Sequence, residues 1–104
     1  MIAHGIDLNS EALRLFCGKW KIRELSVFGS ILRDDFSADS DIDLLADFDD
    51  NAEWDLCALL NMRDELGDMF GRRVDLLTRA GVEGSGNILL KRQILSNLES
   101  LYDA

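Results

Sequence analysis

Residues 28–45 read FGSILRDDFSADSDIDLL, and this stretch decides the fold. Phe28 ends an apolar run, Gly29-Ser30 breaks it, and ten residues later Asp41-Ile42-Asp43 opens a second apolar run. Side chains alternate across a strand, so Asp41 and Asp43 share one face while Ile42, Leu44 and Ala46 take the other. A small-residue turn facing two parallel carboxylates suits a nucleotide's phosphates and the magnesium that accompanies them. The chemistry indicated is phosphoryl or nucleotidyl transfer.

Working outward, Asn9-Ser10-Glu11 starts a helix whose Leu13, Phe16, Cys17 and Trp20 recur at helical spacing. Ile22 to Phe28 reads as a strand, Ile31 to Asp35 as a short helical turn, and Phe36 to Ser40 as a polar loop. Asp41 to Phe48 is the second strand. A longer helix is expected from Ala52 to Met69, with Leu56, Leu59, Met62, Leu66 and Met69 on its apolar stripe and Gly71 as its stop. Arg73 to Thr78 is a third strand, in which Asp75 alternates with Val74 and Leu76. After a turn at Gly81 to Gly86, a last helix carries Leu90, Ile94, Leu98 and Leu101. The expected class is α/β: one domain over residues 1–104 with a small mixed sheet packed by helices.

Asp75 changes the reading of the pair before it. An aspartate inside an apolar strand needs a cation, a hydrogen-bond network or a place at the sheet's edge. If its strand neighbours that of Asp43 in register, Asp41, Asp43 and Asp75 converge, and like charges that close call for a divalent cation. Oxygen ligands select magnesium or manganese, and two such ions about 4 Å apart activate a hydroxyl and stabilise departing pyrophosphate. Asp75 is then a general base, or a ligand lowering the acceptor's pKa. Gly29 lets the backbone approach phosphates, Ser30 and nearby amides donate to their oxygens, and Arg33 neutralises their charge. Each feature alone has a plain structural explanation. Gly-Ser is an ordinary turn, SDID a capped strand start, Asp75 a surface partner of Arg72 or Arg73, and Arg33 a solvated charge. Their joint occurrence at fixed spacing favours the site.

Asp47, Asp49, Asn51 and Glu53 alternate as in a calcium loop, but Ala52 stands where glycine is required and Ala58 where glutamate is. They read as an acidic turn. His4 reads as solvated and non-catalytic, and Trp54 and Leu56 as core or partner-facing. The 104 residues are 47% apolar, enough for one core without disulfides, and carry a net charge of −9 that repels nucleic-acid backbones. Direct nucleic-acid binding is therefore not expected. Cys17 and Cys57 lie in no metal or disulfide pattern and fit a reducing cytoplasm. No run resembles a signal peptide or approaches the ~18 apolar residues of a membrane span.

With GSILRDDFSADSDIDLL and VDLL in hand, the chain resembles the minimal nucleotidyltransferases of the DNA polymerase β superfamily, the MNT or MntA type. That signature falls on Gly29, Ser30, Asp41, Asp43 and Asp75, over roughly residues 10 to 100. The resemblance implies the polymerase β-like palm fold and an antitoxin that uses ATP and magnesium to transfer AMP onto a tyrosine hydroxyl of a HEPN-type ribonuclease toxin. Asp41, Asp43 and Asp75 would hold metal, Asp75 assist the attacking hydroxyl, and Gly29, Ser30 and Arg33 hold the triphosphate. Larger relatives add an acceptor-binding domain for which 104 residues leave no room, so the partner is expected to supply the acceptor. Two alternatives stay open: an antitoxin acting by contact alone, and a small-molecule nucleotidyltransferase with a separately encoded substrate subunit.

Overall fold

A computed structural model describes residues 2–103. A short hairpin of β1 (Ile2–Ala3) and β2 (Ile6–Asp7) precedes helix α1 (Glu11–Lys19). The Ser10 hydroxyl accepts from the Leu13 amide at 3.2 Å, capping the first turn. Strand β3 (Ile22–Phe28) runs into a 3-10 turn (Gly29–Leu32), and β4 (Ile42–Phe48) follows a polar connection. Helix α2 (Leu56–Phe70) leads to β5 (Val74–Thr78), then α3 (Arg79–Glu83), α4 (Ile88–Ser96) and β6 (Glu99–Asp103).

The sheet is ordered β5-β4-β3-β6, with β4 parallel to β5 and the other pairs antiparallel. Strand alternation gives it two different faces. Leu25, Val27, Ile42, Leu44, Ala46, Val74 and Leu76 turn to one side, where α1 and α2 cover them with Leu13, Phe16, Cys17, Met62 and Leu66. This is the main core. On the other side Leu45 packs with Val82 of α3 and Ile94 of α4, with Phe28, Leu95 and Leu98 against them. The mixed sheet packed by helices is the expected class.

Several details differ from the sequence reading: the turn expected at Gly81 to Gly86 begins within α3, and the helical turn expected over Ile31 to Asp35 spans Gly29–Leu32. The last helix stops at Asn97, and residues 99–103 pair antiparallel with β3, so Leu98 lies past the helix and Leu101 is a core residue of a strand. Leu90, Ile94, Leu98 and Leu101 carry helical spacing, but an unfilled strand edge on β3 outweighs that local preference. Helix α2 begins at Leu56 rather than Ala52, because the Asp55 carboxylate caps it by accepting from the Ala58 amide at 2.8 Å. Trp54 instead packs on Phe48, ring centroids 4.9 Å apart, and Leu56 is 68% exposed rather than on the buried stripe. His4 is exposed as expected but tied down: its Nε2 lies 3.1 Å from the Ile31 carbonyl and its ring rests on Phe36. Gly71 ends α2 in the left-handed conformation, φ 67°, as its position predicts.

Candidate active site

Asp43 and Asp75 face each other directly. The parallel register pairs Ile42 with Val74, Asp43 with Asp75 and Leu44 with Leu76, so both carboxylates leave the sheet on the face away from the main core. Burial pushes the Asp43 carboxyl up to about 6, the charges of Asp75 and Asp41 and a hydrogen bond with Asp75 push the same way, and Arg33 opposes them. The site is thus short of positive charge where two acids meet.

The turn after β3 closes on this pair. Gly29 has φ 80°, a region L side chains rarely adopt, and a Cβ there would collide with Asp43 Oδ2 and lie 3.2 Å from its Cγ. Glycine is required twice over, by backbone angle and by space. Ser30 stands beside it in the half-buried 3-10 turn, anchored beneath by fully buried Ile31. Arg33 follows with its Nε 3.1 Å from Asp35 Oδ1, exposed and therefore free to exchange that weak partner for a phosphate.

A cleft of about 1060 Å³ runs over the site, lined by Gly29, Ser30, Arg33, Asp43 and Asp75, with Leu77, Leu90, Ile94 and Leu98 as an apolar wall. Five of the six residues expected from the sequence meet in that cleft. Asp41 does not line it. It sits one residue before β4, its Oδ1 3.1 Å from Arg73 Nε, in an adjoining cleft of about 710 Å³ that Asp75 also borders. Among the described residues no three acidic, histidine or cysteine side chains are grouped tightly enough to hold one ion. The donors themselves suit a hard divalent cation: carboxylate oxygens, closely paired and uncompensated.

Some of the site was not visible in the sequence. The apolar wall from α4 depends on where that helix folds back, which no local pattern encodes. From sequence, Arg72 reads only as a surface partner of Asp75. It lies instead over the Phe36 ring, its guanidinium carbon 4.4 Å from the centroid, and donates from Nη2 to the carbonyls of Ser37 and Ser40.

The nucleotidyltransferase domain pattern matches residues 10–99. A Methanocaldococcus jannaschii protein named a "putative protein adenylyltransferase" is 30% identical over 80 residues, 77% of either chain. The protein adenylyltransferase MntA of Thermococcus cleftensis is 32% identical over 65 residues, 62% of this chain and 64% of that one. A solved structure of a tri-AMPylated Shewanella oneidensis HEPN toxin in complex with MNT antitoxin has TM-score 0.62 at 19% identity, over 93% of this chain and 71% of that chain. That last similarity is one of fold.

Proposed function

The chain belongs to the nucleotidyltransferase domain family, and from that premise we propose that it is the antitoxin of a HEPN/MNT pair, an adenylyltransferase that moves AMP from ATP to a tyrosine hydroxyl of its HEPN toxin. The observation that carries the reading is the in-register pairing of Asp43 with Asp75 beneath a glycine with no room for a Cβ. A nucleotide is the substrate of the family; ATP as the donor, and magnesium as the metal, are parts of the proposal.

Gly29 and Ser30 receive the triphosphate, the glycine by allowing close backbone approach and the serine by donating its hydroxyl. Arg33 leaves Asp35 and neutralises phosphate charge. Asp41, Asp43 and Asp75 would hold the magnesium ions, with Asp41 released from Arg73. When bound, magnesium supplies positive charge that favours the developing phenolate and the leaving pyrophosphate. The tyrosine oxygen bonds to the α-phosphorus as the bond to the bridging oxygen of pyrophosphate breaks. Asp75 accepts the phenolic proton, and its exposed position on the outermost strand gives an incoming side chain access. Leu77, Leu90 and Leu98 provide an apolar wall beside the transferred group.

The reaction belongs in the cytoplasm, where ATP and magnesium are abundant, and both cysteines are free thiols. Among the described residues no helix is long and apolar enough to cross a membrane. The test is incubation with α-labelled ATP, magnesium and the HEPN-type protein encoded beside it. Label on a tyrosine of the partner is the expected result. An unlabelled partner with label on a small metabolite would replace the protein acceptor with a small-molecule one.

A further inference from the structure

The connection from Gly29-Ser30 to Asp43 is held in place from outside itself. Residues 33–41 contain no helix or strand, and their internal hydrogen bonds are local: Arg33 to Asp35, and three between Ser37 and Ser40, including Ser40 N to Ser37 O and Ser37 N to Ser40 Oγ, both at 3.1 Å. The β4–β5 register fixes Asp43, but Asp41 lies just outside it and depends on this loop for its place. Arg72 supplies the missing constraint. Its Nη2 donates to the Ser37 and Ser40 carbonyls, its guanidinium covers one face of Phe36, and His4, bound to the Ile31 carbonyl, also packs on that ring. The next residue extends the link through the backbone, Ile42 N donating to Arg73 O at 3.0 Å. Arg72 Nε is buried with no partner among the described residues, so holding this fork leaves one donor unpaired.

The geometry points to Arg72 as the positioning residue that locks the loop bearing Asp41 against the β4–β5 pair bearing Asp43 and Asp75, setting where the third carboxylate stands relative to the other two. Arg72 need not touch substrate: it acts through the Phe36–Ser40 loop. The inference rests on the proposed nucleotidyl-transfer reading for its catalytic consequence, and on this structure alone for the locking.

A sign separates positioning from proximity. Removing a positive charge near acidic groups, with nothing else altered, tightens binding of a divalent cation. Removing a positioning residue loosens it, on the order of 10-fold or more for outer partners of metal ligands. The test therefore measures Mn²⁺ affinity by electron paramagnetic resonance for wild type, Arg72→Gln and Arg72→Lys. Met62→Ala, from the opposite face, is the control for lost stability, and all measurements are made well below each Tm. Both Arg72 variants are expected to bind Mn²⁺ about 10-fold more weakly or worse, since an ammonium lacks the planar fork and its stacking. Met62→Ala should match wild type. Without metal, chymotrypsin should cut after Phe36 about 10-fold faster in Arg72→Gln than in wild type or Met62→Ala, because cleavage follows the population of the opened loop. In AMP transfer, kcat should fall more than KM rises.

Unchanged or tighter Mn²⁺ binding in Arg72→Gln, or equal loss in Met62→Ala, overturns the inference. If wild type binds Mn²⁺ and the Arg72 effects appear but no AMP is transferred, the functional proposal fails and the positioning role stands. Wild-type protein that takes up no Mn²⁺ sinks both.

Discussion

The two faces of the sheet differ in what their residues do. Against α1 and α2, side chains such as Leu25, Val27, Leu44, Met62 and Leu66 are excluded from water. Against α3 and α4 the same strands present Asp43, Asp75 and Leu77 to a cleft, and only a small cluster around Leu45, Val82 and Ile94 is closed. A strand cannot turn both sets inward, so alternation assigns stability to one face and chemistry to the other. The paired acids gain nothing from each other as anions, and the buried face has to hold them there.

The largest expected contrast comes from neutralising one acid. Asp43→Asn should abolish detectable AMP transfer, and with it toxin neutralisation in cells, while complex formation persists and Tm is unchanged or higher. Full neutralisation by that variant would show an antitoxin acting by contact alone. On the other face, Met62→Ala should lower stability by about 2–5 kcal/mol in urea unfolding and leave transfer per folded molecule near wild type. If it instead removed transfer from folded protein, the division between faces would be broken.

Gly29→Ala tests where the faces are joined. The left-handed backbone alone costs about 1–2 kcal/mol, and the collision with Asp43 adds displacement of the turn, so both unfolding midpoint and transfer should fall. Equal activity in Gly29→Ala would show that the turn yields more than its geometry implies.

A smaller effect is readable in pH. The folded Asp43 carboxyl lies at about 6 against an ordinary 3.8. A raised folded value favours the protonated site, so its contribution to stability is complete below about pH 4 and lost as pH rises through about 6. Metal-free wild type should therefore lose Tm relative to Asp43→Asn between about pH 4 and about pH 7. A constant difference across that range would remove the charge shortage from the account. Smallest in consequence, Cys57 should react with a thiol reagent in native protein, whereas Cys17, buried with its pKa pushed up to about 12, should react only on unfolding.

The open face was legible in the sequence where acids interrupt apolar alternation. Asp43 and Asp75 each sit between residues that must be buried, and that placement predicts both their strands and their shared direction. Gly71 likewise announces the end of α2 by supplying a conformation other residues resist. What escaped was set by tertiary contact. Residues 99–103 become a strand because β3 offers an unfilled edge, and Leu98 and Leu101 look helical until that edge is known. Leu56 fits the stripe of α2 by spacing yet is exposed, and Asp41 leaves its neighbour for Arg73 through an ion pair between residues 32 apart. The two-residue strands β1 and β2 are too short to carry a pattern.

The register between β4 and β5 carries a lesson about which changes of length this fold can absorb. Only Arg72 and Arg73 separate the Gly71 cap from Val74, whose partner is Ile42. One residue gained or lost there, with the pairing slipped to match, would turn Asp75 inward among the leucines and bring Val74 or Leu76 out into the cleft. The acidic turn after β4 has no such duty, because the Asp55 cap restarts the chain independently of how many residues precede it. Variation in length should therefore collect before α2 and stop at its far end, where a single inserted codon would break the pairing of Asp43 with Asp75.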